Sequence, residues 1–301
     1  MSNDSSLSLD LAGARRPLWR SYFELGKPRV VALMSFTVLV GMLLARPGLP
    51  DWQVLLFGNL GIALVASAAA AVNHLVDRRI DALMARTRGR PLPTGSLGAP
   101  QVLAYALLLG SAGMALLMAY TNPLCAALTL GSLIGYAGIY SLYLKHATPQ
   151  NIVIGGAAGA APPLLGWVAV QGQLEPGALL LFLIIFIWTP AHFWALAIHR
   201  REDYARAAVP MLPVTHGVSH TSRRILQYTW ALVFTSLLPW AIGMSGWPYL
   251  LGALLIGARY LQWNYRLRRD KLQAMMSFRF SIAYLFALFG LLLADHFLLL
   301  A

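Results

Sequence analysis

Nine apolar runs of about 17–22 residues recur along this chain, and they constrain its fold more than any other feature. A run of that length crosses a bilayer core of about 30 Å as an α-helix. The runs cover about 29–46, 55–74, 102–120, 123–144, 152–170, 179–198, 226–244, 247–264 and 280–300. Each is too uniformly apolar for a surface helix, and none shows the alternation of a β-barrel strand. Composition agrees. Only 11% of the residues are charged, against about 25% in a soluble domain, which is too few to make a polar skin. The expectation is an all-α polytopic membrane protein with nine transmembrane helices in one bundle. Residues 1–20 read as a polar cytoplasmic tail and 21–301 as a single membrane domain.

Orientation follows from Lys and Arg. With nine crossings, 22 of the 23 basic residues fall on one side, and Arg46 alone falls opposite. The positive-inside rule then puts the N-terminus in the cytoplasm and the C-terminus outside. The net charge of +12 is thereby explained by topology and anionic lipid, and nucleic acid is not expected as a partner. Residues 1–20 carry Asp4 and Asp10 and lack a signal-peptide core, so the first span reads as a retained anchor. A bacterial inner membrane is the simplest location, ahead of a mitochondrial one. The single cysteine, Cys125, excludes an internal disulfide and a Cys-rich metal site. Small residues at Gly131 and Gly135, at Gly155 and Gly159, and from Ala66 to Ala71 read as close helix packing. The long, charged connections are cytoplasmic, so function is expected at that face.

The second span ends in Asn73, Asp77 and Asp81. Spaced by four, they drift about 40° per step and share one helix face over roughly 12 Å. Two carboxylates a turn apart repel each other, and a bivalent cation relieves this. Mg²⁺ takes one or two carboxylates and fills its shell with water and phosphate oxygen. The plainer alternative is a solvated helix end with Asp77 paired to Arg78 or Arg79. The face starts inside the membrane at Asn73, where polar groups are costly and usually functional, so metal–phosphate binding is favoured. Arg86, Arg88 and Arg90 follow, and guanidinium forks suit phosphate.

The sixth span ends in a second polar stripe, His192, His199 and Asp203, spaced seven and four apart. As one continuous helix this would place all three near one face. Pro190 is expected to kink it. A third patch, Tyr140-Ser-Leu-Tyr143-Leu-Lys145, closes the fourth span, and Lys145 can meet phosphate as a point charge.

The Asn73–Asp77–Asp81 face with Arg-Thr-Arg-Gly-Arg-Pro-Leu-Pro-Thr-Gly (86–95) resembles the first acidic motif of the intramembrane prenyltransferases. The run from His192 through His199 and Asp203 to Tyr204, then Pro210-Met-Leu-Pro213, is similar to the protohaem IX farnesyltransferase (haem O synthase) branch. Many superfamily members carry Asp-x-x-x-Asp where this chain has His199-x-x-x-Asp203, and that departure fits the haem branch.

The resemblance implies farnesyl diphosphate as donor and haem B as acceptor. One vinyl group is farnesylated with addition of water, giving haem O for terminal oxidases. It implies Asp77, Asp81, His199 and Asp203 as catalytic residues, and Mg²⁺ held by Asn73, Asp77, Asp81 and Asp203. Substrate contacts fall to Asn73, Arg86, Arg90, Lys145, Arg200, His192, Tyr143 and Tyr204. His192 or His199 would ligate haem iron or move a proton. Partners are the two substrates, the lipid bilayer, and a haem A synthase or terminal oxidase. The rivals are a prenyltransferase with a quinone-type acceptor and a membrane transporter, which would need polar residues threading the midplane.

Overall fold

Proline and glycine set the helix boundaries. Pro28, Pro123 and Pro176 open helices at the first position, where the missing N–H costs nothing and φ is already helical. The computed structural model describes residues 17–85 and 87–300. Arg86 and residues 1–16 of the polar tail therefore lie outside the described residues.

Helix α1 (Leu18–Leu25) bends by 46° into α2 (Pro28–Leu44). A π-helical turn, Val54–Gly58, leads into α3 (Asn59–Leu83), and α4 (Ala99–Tyr120) returns. Helix α5 (Pro123–Leu133) continues as a π-helical segment, Ile134–Leu144, and ends in the short α6 (Lys145–Ala147). Then come α7 (Asn151–Gln171), α8 (Pro176–His199), the short α9 (Arg201–Arg206) and α10 (Leu212–Thr215), and α11 (Gly217–Ala241). Helix α12 (Trp247–Arg269), a 3-10 turn (Lys271–Gln273) and α13 (Ala274–Leu300) complete the chain. There is no strand among the described residues, so the all-α expectation holds.

Six helices are long and apolar enough to cross a membrane, and the bent α1–α2 pair makes a seventh. The protein is a multi-pass membrane protein on that ground. Nine crossings were expected. The two remaining runs do lie in long helices, α11 and α12, but neither reaches the same standard. Polar and aromatic side chains lower their mean hydropathy: Gln227, Tyr228, Trp230, Thr235 and Ser236 in α11, and Trp247, Tyr249, Arg259, Gln262 and Asn264 in α12.

Helix α8 is the hub, packed on α7, α11 and α13, while α2 packs on α7 and α3 on α4. Two crossings depend on bare glycines. A Cβ on Gly41 would strike the Pro163 carbonyl, and one on Gly166 would strike that of Val38, so α2 and α7 touch backbone to backbone. A Cβ on Gly113 would lie 2.7 Å from the Gly61 oxygen across α3–α4. The expected packing role of Gly131, Gly135 and Gly159 is corrected, because each faces open space. Gly155 does pack closely, against the Tyr140 ring. Helix α8 runs on through Pro190. There the missing amide leaves the Phe186 carbonyl without its donor, while the neighbouring Thr189 hydroxyl donates to the Ile185 carbonyl at 2.8 Å.

Candidate active site

Asn73, Asp77 and Asp81 are all buried on one face of α3, as the four-residue spacing requires. Each is met by a cation from another part of the chain. Lys27 Nζ donates to Asn73 Oδ1 at 2.6 Å. Lys145 Nζ lies 2.7 Å from Asp77 Oδ2, and Arg90 Nη1 lies 2.7 Å from Asp81 Oδ2. Asn73 links the row, its amide donating to Asp77 Oδ2 and to Ser141 Oγ, both at 3.0 Å. Arg78 and Arg79 are exposed, so the solvated-end alternative, with Asp77 paired to one of them, does not describe this helix.

Local structure explains how each cation arrives. The Thr87 hydroxyl donates to the Asp81 carbonyl at 2.9 Å, folding the chain back over the end of α3. Successive turns from Met84 to Leu97 then bring Arg90 to Asp81. Lys145 follows the π-helical segment, and Asn151 Nδ2 donates to its carbonyl at 3.3 Å. Lys27 caps α2 with φ +49°. A lysine in the left-handed region before a proline is strained, and such strain persists where surrounding contacts fix it. The Lys27–Asn73 bond is one such contact.

Sequence reasoning did not single out Lys27, Ser141, Thr87 or His74. Lys27 was counted as a topology marker, and its place beside Pro28 at a span entrance was the available signal. His74 is buried with neither ring nitrogen hydrogen-bonded, and it lies within electrostatic reach of Lys27 and Arg90.

Other expected residues do not join this cluster. Tyr143 is 68% exposed. It lies two residues from both Ser141 and Lys145, close to half a turn away in the π-helical segment, and so stands on the side opposite to them. The expected His192–His199–Asp203 stripe is also corrected. Helix α8 stops at His199, and Arg200 adopts φ −107°, ψ 23° before α9 starts, so spacing of four no longer sets a shared face. His199 is exposed. Asp203 faces Arg200 Nη1 at 3.7 Å, and no three His, Cys, Asp or Glu gather for a metal among the described residues. Tyr204 is buried on α9. His192 is buried deep in α8, with Nδ1 2.6 Å from Ser281 Oγ. Its ring is stacked between Trp188 at 4.2 Å and Phe278 at 4.5 Å.

The donor set on α3 fits a hard cation. It offers two carboxylates and an amide, and Asp77 Oδ1 is buried without a hydrogen-bond partner. A pair of carboxylates with an open remainder is what Mg²⁺ takes when phosphate oxygens fill its shell. Lys27, Lys145 and Arg90 place three positive charges beside that donor set.

The comparisons with known proteins agree with this geometry. The profile described as the UbiA prenyltransferase family matches residues 34–297. The chain is 62% identical over 281 residues to the protoheme IX farnesyltransferase of Marinobacter nauticus, covering 93% of each. It is 63% identical over 286 residues to that of Azotobacter vinelandii, covering 94% of this chain and 95% of the relative. Among solved structures, one concerning digeranylgeranylglyceryl phosphate synthase matches with TM-score 0.78 at 18% identity, over 93% of this chain and 98% of that one. A UbiA homolog from Archaeoglobus fulgidus bound to DMAPP and Mg²⁺ matches with TM-score 0.64 at 19% identity, over 90% and 99%. Likeness at that identity speaks for the fold, and the sequence relatives speak for the family. With a buried acidic face on α3, three cations on it, and relatives above 60% identity along most of its length, the chain belongs to the UbiA prenyltransferase family.

Proposed function

We propose that the protein transfers the farnesyl group of farnesyl diphosphate to a vinyl group of haem B, with addition of water, to give haem O. The observation that carries the reaction type is the buried Asn73–Asp77–Asp81 face with a cation on each member. The acceptor is proposed from the high identity to proteins named protoheme IX farnesyltransferase.

The allylic C–O bond breaks as negative charge builds on the departing diphosphate. Mg²⁺, held by Asn73, Asp77 and Asp81, would supply Lewis-acid stabilisation of that charge. Lys145 and Arg90 turn from their carboxylates to the diphosphate oxygens, and Lys27 steadies Asn73. Preorganised charge of this kind is usually the largest catalytic term. Burial keeps bulk water from the farnesyl cation until it adds to the terminal vinyl carbon. The cation this leaves on the vinyl carbon beside the ring then takes up one water and releases a proton, giving the hydroxyethylfarnesyl side chain. Asp203, which faces Arg200 in the structure, is proposed as a further metal contact, with Arg200, His199 and Tyr204 meeting substrate beside it.

We further propose nine crossings, with α11 and α12 as the seventh and eighth, the N-terminus cytoplasmic and the site at the cytoplasmic face. A bacterial inner membrane is the proposed location. A haem A synthase or a terminal oxidase in assembly is the proposed taker of the product.

The test is a competition between acceptors. Purified protein receives farnesyl diphosphate and Mg²⁺ with haem B and an aromatic quinone precursor together, and the extract is read by mass spectrometry. A haem carrying one farnesyl plus water, lost with EDTA, is the expected product. A farnesylated quinone precursor with unchanged haem would move the acceptor assignment.

A further inference from the structure

A cavity of about 250 Å³ lies between the start of α7, α8 and the α10–α11 corner. Gln150, Trp194, His216, His220, Arg224 and Tyr228 line it, with no Asp or Glu among the lining residues. Trp194 is fully buried, yet its indole N–H has no hydrogen-bond partner. A buried donor is nearly always met by protein, water or a ligand, and an unpaired one calls for an explanation. Tyr228 fixes the indole edge-on at 5.3 Å. The His216 and His220 rings stand 5.3 Å apart. Arg224 Nε is 3.4 Å from His220 Nε2, and its Nη1 is 3.2 Å from Gln227 Oε1.

The lining is rich in N–H donors and carries positive charge from Arg224. That chemistry selects an oxyanion. The volume is below the roughly 300–1,000 Å³ of a pocket for a whole drug-sized ligand, so it suits one anionic arm of a larger molecule. Location narrows the choice. Gln150 precedes Asn151, whose amide holds the Lys145 carbonyl. The turn that carries the cation of Asp77 therefore also walls the cavity.

We propose that this cavity binds a carboxylate arm of the tetrapyrrole acceptor, gripped by Trp194 Nε1 and the Arg224 guanidinium. This rests on the reading of haem B as acceptor. A propionate held here anchors the acceptor beside the diphosphate site, with Arg224 at the outer rim and Trp194 at the floor. Phospholipid phosphate offers similar oxygens, and the experiment separates the two.

The full-length protein is placed in phosphatidylcholine nanodiscs and titrated with haem B and with its dimethyl ester, following the Soret band. Trp194→Phe removes the indole N–H together with the ring that carries it, so its effect is read as the difference between haem B and the ester, and Arg224→Gln changes an exposed side chain. Each is expected to weaken haem B about tenfold or more, the usual scale of a lost charge-assisted bond. The ester is expected to bind the wild type as weakly as haem B binds the variants, with no further loss in the variants. Variants that bind haem B like the wild type, or that lose haem B and ester equally, would overturn the proposal. So would wild-type preference for haem B over its ester that disappears when phosphatidylglycerol is added, which would assign the cavity to lipid phosphate. Failure of the acceptor reading looks different: neither haem form binds the wild type while farnesyl diphosphate still does, and the proposal goes with it.

Discussion

Lys145 Nζ sits 2.7 Å from Asp77 Oδ2, tying the end of the π-helical segment to the acidic face of α3. Both side chains are largely buried. Such a pair adds little net stability, but removing one partner strands the other charge at a cost of about 3 kcal/mol. Asp77→Asn and Lys145→Gln should each lower the melting temperature, and the double variant should recover most of that loss. Turnover should fall in all three, by about 10²–10³ for Asp77→Asn. Thermal melts and initial rates on the four proteins check both halves.

Lys27 holds Asn73 from a strained backbone position. Lys27→Gln should cut kcat/KM for the prenyl diphosphate about tenfold or more, as loss of a charged hydrogen bond does. Steady-state kinetics at varied diphosphate concentration would show it. An unchanged kcat/KM would leave Lys27 a structural cap only.

Glycine substitutions separate backbone contact from open space. Gly41→Ala places a methyl on the Pro163 carbonyl, and backbone cannot yield cheaply. The expected loss is about 3 kcal/mol or more. Gly159→Ala meets nothing and should be neutral or gain up to about 1 kcal/mol from helix propensity. Melting temperatures in one detergent compare them.

His192 is held on both ring faces and at one nitrogen. Those contacts hold the ring whether or not haem is bound. His192→Phe should lower thermal stability while leaving the haem absorbance change intact. A lost or shifted Soret response in that variant would make His192 an iron ligand.

Much of this was legible in the sequence because membrane helices obey length and periodicity. The runs at 123–144 and 152–170 fall almost on α5 with its π-helical extension and on α7. Asn73, Asp77 and Asp81 were readable because one unbroken helix carries them. The His199–Asp203 relation was not, because it assumed helix through Arg200, where the backbone breaks. Tyr143 stands apart from the α3 cluster for another reason: a motif names neighbours in sequence, while a helix puts residues two apart on opposite sides. Lys27 and Ser141 were hidden because their role depends on how distant helices dock, and single basic or small residues at span ends carry no pattern of their own. The cavity around Trp194 joins four elements, and no spacing rule reaches across them.

Binding of farnesyl diphosphate to the purified protein, with and without Mg²⁺, tests the central claim most directly, since the α3 face is assigned to metal and diphosphate together. Titration calorimetry on the wild type and on Asp77→Asn with Asp81→Asn is the measurement. The account predicts Mg²⁺-dependent affinity in the wild type, its loss in the double variant, and haem B binding retained in both. Equal, Mg²⁺-independent affinity in the two proteins would contradict it.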